Sequence, residues 1–172
     1  VVGLVNPGLF SIGDTLCSSG SVAFDPIPRF PPECFGVLRN QDFAKQKQFQ
    51  KGIQQLEEEG VMQVFFSPDH IRREPILAAV GGLQFDVVAS RLQSEYGVKT
   101  TVDRLPHVCA RWIEGDPAVI AAVYWPQGTL RLVDRDGRQV MLFDAERLVP
   151  YCMKDNPTIQ FRVTSEPERE RT

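Results

Sequence analysis

The feature that most constrains the fold is the alternation of strand and helix patterns over residues 33–103. Short apolar runs bounded by glycine, proline or polar turns predict strands at residues 33–39, 61–66, 75–80 and 98–102. Helical patterns separate the first strand from the second and the third from the fourth. Two helices on one face of a four-stranded antiparallel sheet make a ferredoxin-like βαββαβ unit. We therefore expect that unit over residues 31–106.

Both helices are predicted from the spacing of their apolar residues. Residues 42–59 place Phe49, Ile53 and Leu56 on one face, and Gly60 is a typical helix end. Residues 83–96 carry a second apolar stripe, and Gly97 follows it. That stripe consists of Phe85, Val88, Ala89, Leu92 and Tyr96.

The segments on either side of this unit complete an α+β fold class. Residues 1–30 carry short strand patterns between turns, which indicates the truncated end of a β-barrel domain. Because the chain starts within a strand pattern and without methionine, we expect an excised piece of a longer protein. Residues 107–165 predict a second small α+β lobe, with strands at 108–114, 129–134, 139–143 and 158–164 and helices at 118–124 and 144–153. Residues 166–172 are almost all charged and predict a disordered tail.

Motifs for nucleotide binding and catalysis are missing from the sequence. Neither GxxxxGK[ST] nor GxGxxG occurs. The pair Gly81-Gly82 before a helix could hold an anion, although a tight turn explains it more simply. His107 and Cys109 would share one face of a strand, but no third group orients them as base and nucleophile. We predict no catalytic, cofactor-binding or metal-binding residue in this chain.

The charge of the chain limits its partners. A formal net charge of -3 excludes a general polyanion binder, so any RNA contact needs a local basic patch. The four cysteines have no CxxC spacing, and we interpret them as reduced thiols in a cytoplasmic protein. No apolar run approaches the roughly 20 residues that span a bilayer. We expect neither a membrane nor DNA as a partner.

The polar face of the first helix is the candidate binding surface. Lys47 and Lys51 lie one turn apart with Gln54 on the same side, and Arg39 ends the preceding strand. Their donors suit phosphate groups or a protein surface, although solubility alone also demands a charged outer face. The acidic run at residues 57–59 is interpreted as a solvated helix end. The candidate contact set is therefore Arg39, Lys47, Lys51 and Gln54.

Five segments of the sequence resemble bacterial peptide chain release factor 3, a translational GTPase related to elongation factor G. The most specific are QKGIQQLEEEG in the first helix and AVGGLQFDVV at the start of the second. GDTL, at residues 13–16, is similar to the second-domain signature of these GTPases. The five segments lie at residues 2–16, 30–35, 47–65, 76–98 and 110–114.

This resemblance implies the end of the barrel domain and the third domain, without the GTPase domain. GTP and magnesium would belong to the parent protein and not to this chain. The implied function is a non-catalytic, ribosome-binding portion in translation termination, where the family promotes dissociation of class I release factors. Implied contacts are small-subunit rRNA and protein, with the parent's own GTPase and barrel domains beside them.

Two alternatives stay open at this point. A portion of another elongation factor G-like ribosomal GTPase is one, although such relatives typically carry a GELH-like sequence where Gln84-Phe85-Asp86 stands here. A freestanding enzyme of the acylphosphatase type is the other, with Arg39-Asn40 as its candidate phosphate-binding pair.

Overall fold

A computed structural model describes residues 14–20, 30–68 and 74–165, together with Gly3, Val5, Val22 and Phe24. The first sheet and its two helices follow the predicted order. A short 3-10 turn, Phe43–Lys45, leads into the first helix. The elements are β1 Cys34–Asn40, α1 Gln46–Glu58, β2 Gln63–Phe65, β3 Ile76–Ala79, α2 Leu83–Tyr96 and β4 Thr100–Arg104.

The strand order of this sheet is β2-β3-β1-β4, and every neighbouring pair is antiparallel. That order, with both helices on one face, confirms the predicted ferredoxin-like unit. The apolar faces of α1 and α2 pack on the sheet through Phe49, Leu56 and Leu92. Of the predicted stripe on α2, Ala89 and Tyr96 are only half-buried.

The remaining elements form a second four-stranded antiparallel sheet with the order β6-β7-β5-β8. This confirms the second α+β lobe. The predicted helix over residues 144–153 is shifted, because Ala145 and Glu146 accept turn-type bonds from Leu148 and Val149. The elements are β5 Cys109–Glu114, α3 Pro117–Ala122, β6 Thr129–Val133, β7 Gln139–Phe143, α4 Leu148–Asp155 and β8 Gln160–Arg162.

The two sheets pack face to face and share one apolar core. Alternation along β1 sends Leu38 toward the helices and Phe35 toward the second sheet. At the centre of this shared core, the Phe65 and Trp112 rings meet edge to face with centroids 5.7 Å apart. A backbone bridge between Phe66 and Val133 also joins the sheets. The described chain is therefore layered as helices, sheet, sheet, helices.

The outer face of the second sheet is covered by α3 and α4. Met141 and Phe143 of β7 pack there against Ile120 of α3 and against Val149 and Cys152 of α4. The second sheet is thus covered on both faces, by the first sheet on one side and by α3 and α4 on the other.

The predicted end of a β-barrel falls mostly outside the described residues. Those described before Phe30 lie in no strand or helix, with bends at residues 18–20. The barrel assignment stays a prediction. Residues 69–73 of the predicted polar turn and the predicted tail, residues 166–172, also lie outside the described residues.

Gly97 ends α2 in a left-handed conformation, with φ of 67°. Its N–H donates to the Gln93 carbonyl, and the Val98 N–H donates to the Leu92 carbonyl. A side chain in this conformation costs about 1–2 kcal/mol. We expect Gly97→Ala to lower the free energy of unfolding by that amount in urea titration. Gly81→Ala is the control, because Gly81 has an ordinary φ and open space around it. If Gly81→Ala lowered the free energy of unfolding as much as Gly97→Ala, the left-handed conformation of Gly97 could not be the cause.

Candidate functional site

Lys47, Lys51 and Gln54 lie together on the outer ridge of α1. The buried residues of this helix, among them Phe49 and Ile53, face the sheet, and helical spacing puts the two lysines on the opposite side. All three candidate residues are exposed. Gln54 donates from Nε2 to Glu58 Oε1 over 2.9 Å. Lys47 and Lys51 form no ion pair with any residue in the described part of the chain.

Arg39 is separated from this ridge by the sheet. Leu38 points toward the helices, so Arg39 points to the opposite face. Its Nε donates to Asp103 Oδ2 over 2.6 Å, and its Nη1 donates to Glu74 Oε1 over 2.8 Å. The hydrogen bond to Asp103 and the charge of Glu74 raise the pKa of the guanidinium. The structure therefore does not bring Arg39 together with Lys47, Lys51 and Gln54.

The same contacts argue against an acylphosphatase-like site. That chemistry needs an arginine in a loop that cradles a phosphate. Arg39 instead lies within β1 with its guanidinium held by two carboxylates, and Asn40 donates to Gln46 Oε1 over 3.1 Å. An anion would have to displace both carboxylates from Arg39, which opposes binding.

Glu58 and Glu59 of the acidic run at the end of α1 are exposed, as predicted, while Glu57 is half-buried, and all three carboxylates have partners. Glu57 accepts a hydrogen bond from the Val64 N–H over 3.2 Å. Glu58 pairs with Arg135 over 3.1 Å, which links α1 to the hairpin between β6 and β7. Arg91 of α2 pairs with Glu59. Each carboxylate thus ties α1 to another element.

The negative charge of Glu57 lowers the stability of the folded chain at neutral pH, which a neutral side chain would not do. Burial raises the pKa of this carboxyl, more than the Val64 N–H and Arg135 lower it. Glu57 therefore keeps its proton to a higher pH in the folded state than in the unfolded state. At pH values above the folded-state pKa of Glu57, its charged carboxylate destabilises the folded state. We expect Glu57→Gln, which keeps an oxygen acceptor for Val64, to raise the urea midpoint at pH 7. The gain should disappear near pH 4, and a gain that persists there would contradict this account.

The glycine pair before α2 serves a turn, and the Gly81 N–H within it is already bonded. Gln84 Oε1 accepts from the N–H groups of Val80, over 2.8 Å, and Gly81, over 3.0 Å. Its Nε2 donates to the Val61 carbonyl over 2.9 Å. Gln84 thus closes the start of α2 and ties it to the loop after α1, a role that the sequence pattern did not indicate.

His107 and Cys109 do not form an activated pair. Cys109 is buried, and burial raises the pKa of its thiol. Burial likewise lowers the pKa of His107. A nucleophilic cysteine needs a thiolate and a nearby cation, so these shifts oppose catalysis. Within the described ranges, no three His, Cys, Asp or Glu side chains could hold a metal together. No helix among the described residues is long and apolar enough to cross a bilayer.

Comparison with known proteins assigns the family. Residues 24–153 match the family described as class II release factor RF3, C-terminal domain, so the likeness continues well past residue 114. The peptide chain release factor 3 of Gloeobacter violaceus is 48% identical over 162 residues, which are 94% of this chain and 30% of that protein. Its counterpart in Symbiobacterium thermophilum is 44% identical over 166 residues, which are 96% of this chain and 31% of that protein. This chain spans about 30% of the length of the relatives it matches. By its sequence, the chain belongs to the class II release factor RF3 family, and its residues 24–153 correspond to the C-terminal domain of that family.

Proposed function

We propose that this chain is the non-catalytic, ribosome-binding portion of a release factor 3 that promotes dissociation of class I release factors. The observation that carries this proposal is the match of residues 24–153 to the C-terminal domain of that family. In this account, GTP and magnesium are bound by a GTPase domain elsewhere in the parent protein, which works in the cytoplasm. The family match favours this function over the elongation factor G alternative.

The electrostatics of the chain specify how it would approach a ribosome. A net charge of -3 repels RNA at long range, so attraction must come from a local positive surface. Lys47 and Lys51 supply one, since neither is neutralised by a described carboxylate. The partners proposed for this surface are small-subunit rRNA and protein. The domains of the parent protein are proposed to dock elsewhere on the chain.

Co-sedimentation with ribosomes tests this function. The chain is mixed with 70S ribosomes and pelleted through a sucrose cushion at 50 and 300 mM monovalent salt. We expect association at the lower salt that weakens about tenfold at the higher, the value for two phosphate contacts to single-stranded RNA. An unrelated acidic protein of similar charge is the control. No association of the folded chain at 50 mM salt would overturn the proposed function.

A further inference from the structure

Three of the five lysines of the chain lie at the start of α1 or in the turn before it: Lys45, Lys47 and Lys51. Lys99 does not join them, because Val98 faces the helices and alternation turns the Lys99 side chain to the opposite face of the sheet. A chain with a net charge of -3 thus carries a local group of cations on α1.

The structure accounts for Lys45 but not for Lys47 and Lys51. Lys45 Nζ donates to the Gly97 carbonyl over 2.7 Å, where a cation stabilises the end of α2. Lys47 and Lys51 are exposed and form no ion pair with a described residue. The carboxylate of Asp42 is already used, because it caps the Ala44 N–H and pairs with Lys45.

The charges on α1 run against its helix dipole. Cations are unfavourable near a helix N-terminus, where the dipole is positive. Lys47 lies in the first turn of α1, the first turn contains no acidic residue, and Lys51 follows one turn later. The acidic residues at the other end of α1 form ion pairs with Arg91 and Arg135. No described carboxylate pairs with Lys47 or Lys51, so both ammonium groups are available to a negatively charged partner.

An exposed aromatic ring lies beside these lysines. Phe43, in the turn that precedes α1, is 86% exposed and belongs to none of the apolar clusters. Lys47 follows it by four residues, in the first turn of α1. Aromatic rings flanked by cations are the usual combination for unpaired nucleotides, because the ring stacks on a base while the cations neutralise phosphates.

We propose that the lysine end, defined as Phe43, Lys47 and Lys51, binds an unpaired segment of RNA. The two ammonium groups contact phosphates, and the Phe43 ring stacks on one base. This inference rests on the proposed function, because it names the ribosomal component that this surface recognises. It also makes a separate claim, since RNA alone should bind without the rest of the ribosome.

Binding of the intact chain to a fluorescent 12-nucleotide oligouridine, and to 70S ribosomes in parallel, tests the inference. We expect the double substitution Lys47→Glu with Lys51→Glu to weaken both affinities at least tenfold. The salt slope on oligouridine should fall by about 1.4, for two lost contacts to a single strand. Lys154→Glu makes the same kind of charge change in α4 and should change either affinity less than twofold.

The ring and the fold are tested with three further variants, one of which is a control. Phe43→Ala should weaken binding about tenfold without changing the salt slope, since stacking releases no counterions. Tyr124→Ala, which removes a ring that is 94% exposed elsewhere, should have no effect. Lys47→Glu should raise Tm by about 1–4 °C, because it places an anion in the first turn of α1. A variant that binds less while melting higher has not lost its fold.

The outcomes separate this inference from the proposed function. Ribosome binding that survives the double substitution, or that falls equally with Lys154→Glu, overturns the lysine end while the proposed function stands. Ribosome binding that depends on the lysines without oligouridine binding or any effect of Phe43→Ala assigns a protein partner and also overturns the inference. Oligouridine binding through the lysine end without ribosome binding supports the RNA site and overturns the proposed function.

Discussion

Replacing Trp112 with alanine is expected to lower the free energy of unfolding by about 3–5 kcal/mol, the cost of removing a large buried aromatic side chain. Trp112 is 1% exposed and fills the space between the two sheets against Phe65. Its Nε1 also donates to Asp134 Oδ2 over 3.0 Å, so the substitution removes a hydrogen bond together with the ring. The stability of a typical domain is about 5–15 kcal/mol, so this single change removes a large share of it.

Urea unfolding followed by circular dichroism measures this effect. Tyr124→Ala is the matched control, because it also removes an aromatic ring but from an exposed position, and it should change stability by less than about 0.5 kcal/mol. If Trp112→Ala cost no more than the control, the two sheets would not share a core in solution.

Leu92→Ala is the second substitution with a large expected effect, about 2–5 kcal/mol. Leu92 is fully buried between α2 and α1, opposite Gly52. A Cβ on Gly52 would lie 2.6 Å from Leu92 Cδ2, so the helices approach as closely as a glycine allows. Removing the leucine side chain therefore leaves a cavity, and Gly52 has no side chain that could fill it. Leu83→Ala on the same helix, at a side chain that is 80% exposed, should be close to neutral.

Tryptophan fluorescence and circular dichroism report on the unfolding of different halves of the chain. Both tryptophans, Trp112 and Trp125, lie in the second half, whereas α1 and α2 dominate the helical signal. Because the sheets share a core, Leu92→Ala in the first half should shift the fluorescence transition as much as the circular dichroism transition. A fluorescence transition that stayed at its original midpoint would mean that the halves unfold independently.

The ferredoxin-like unit was predictable because local and long-range signals agree there. The bounds predicted for the second helix, residues 83–96, match α2 because Gly82 and Gly97 mark its two ends. The apolar spacing of α1 likewise corresponds to the face that packs on the sheet. In such segments the helical period and the buried face carry the same information.

The boundaries in the second half were less predictable for a local reason. Residues 144–147 have the composition of a first helical turn, yet Leu148 and Val149 donate to carbonyls three residues back, as in a turn. Helix α3 stops at Ala122 because Val123 is extended, with ψ of 130°. Composition does not distinguish these conformations, since they differ by a single hydrogen-bond register.

The arrangement of the candidate contact residues was predictable in part. Lys47, Lys51 and Gln54 follow from helical spacing alone. The separation of Arg39 from these three residues was also predictable, because alternation in a strand places its side chain opposite Leu38. The partners of the acidic run were out of reach of any local pattern, as Glu58 and Arg135 are 77 positions apart.

Competition with an intact release factor 3 is the most direct test of the central claim, that this chain contacts the ribosome as the non-catalytic part of that factor. Excess isolated chain is added to ribosomes that carry a class I release factor, and its GTP-dependent dissociation by the intact factor is timed. The account predicts slower dissociation that is restored by more intact factor, with no inhibition by the variant that carries Lys47→Glu and Lys51→Glu. Dissociation at an unchanged rate, with folded chain in large excess at low salt, would contradict the account.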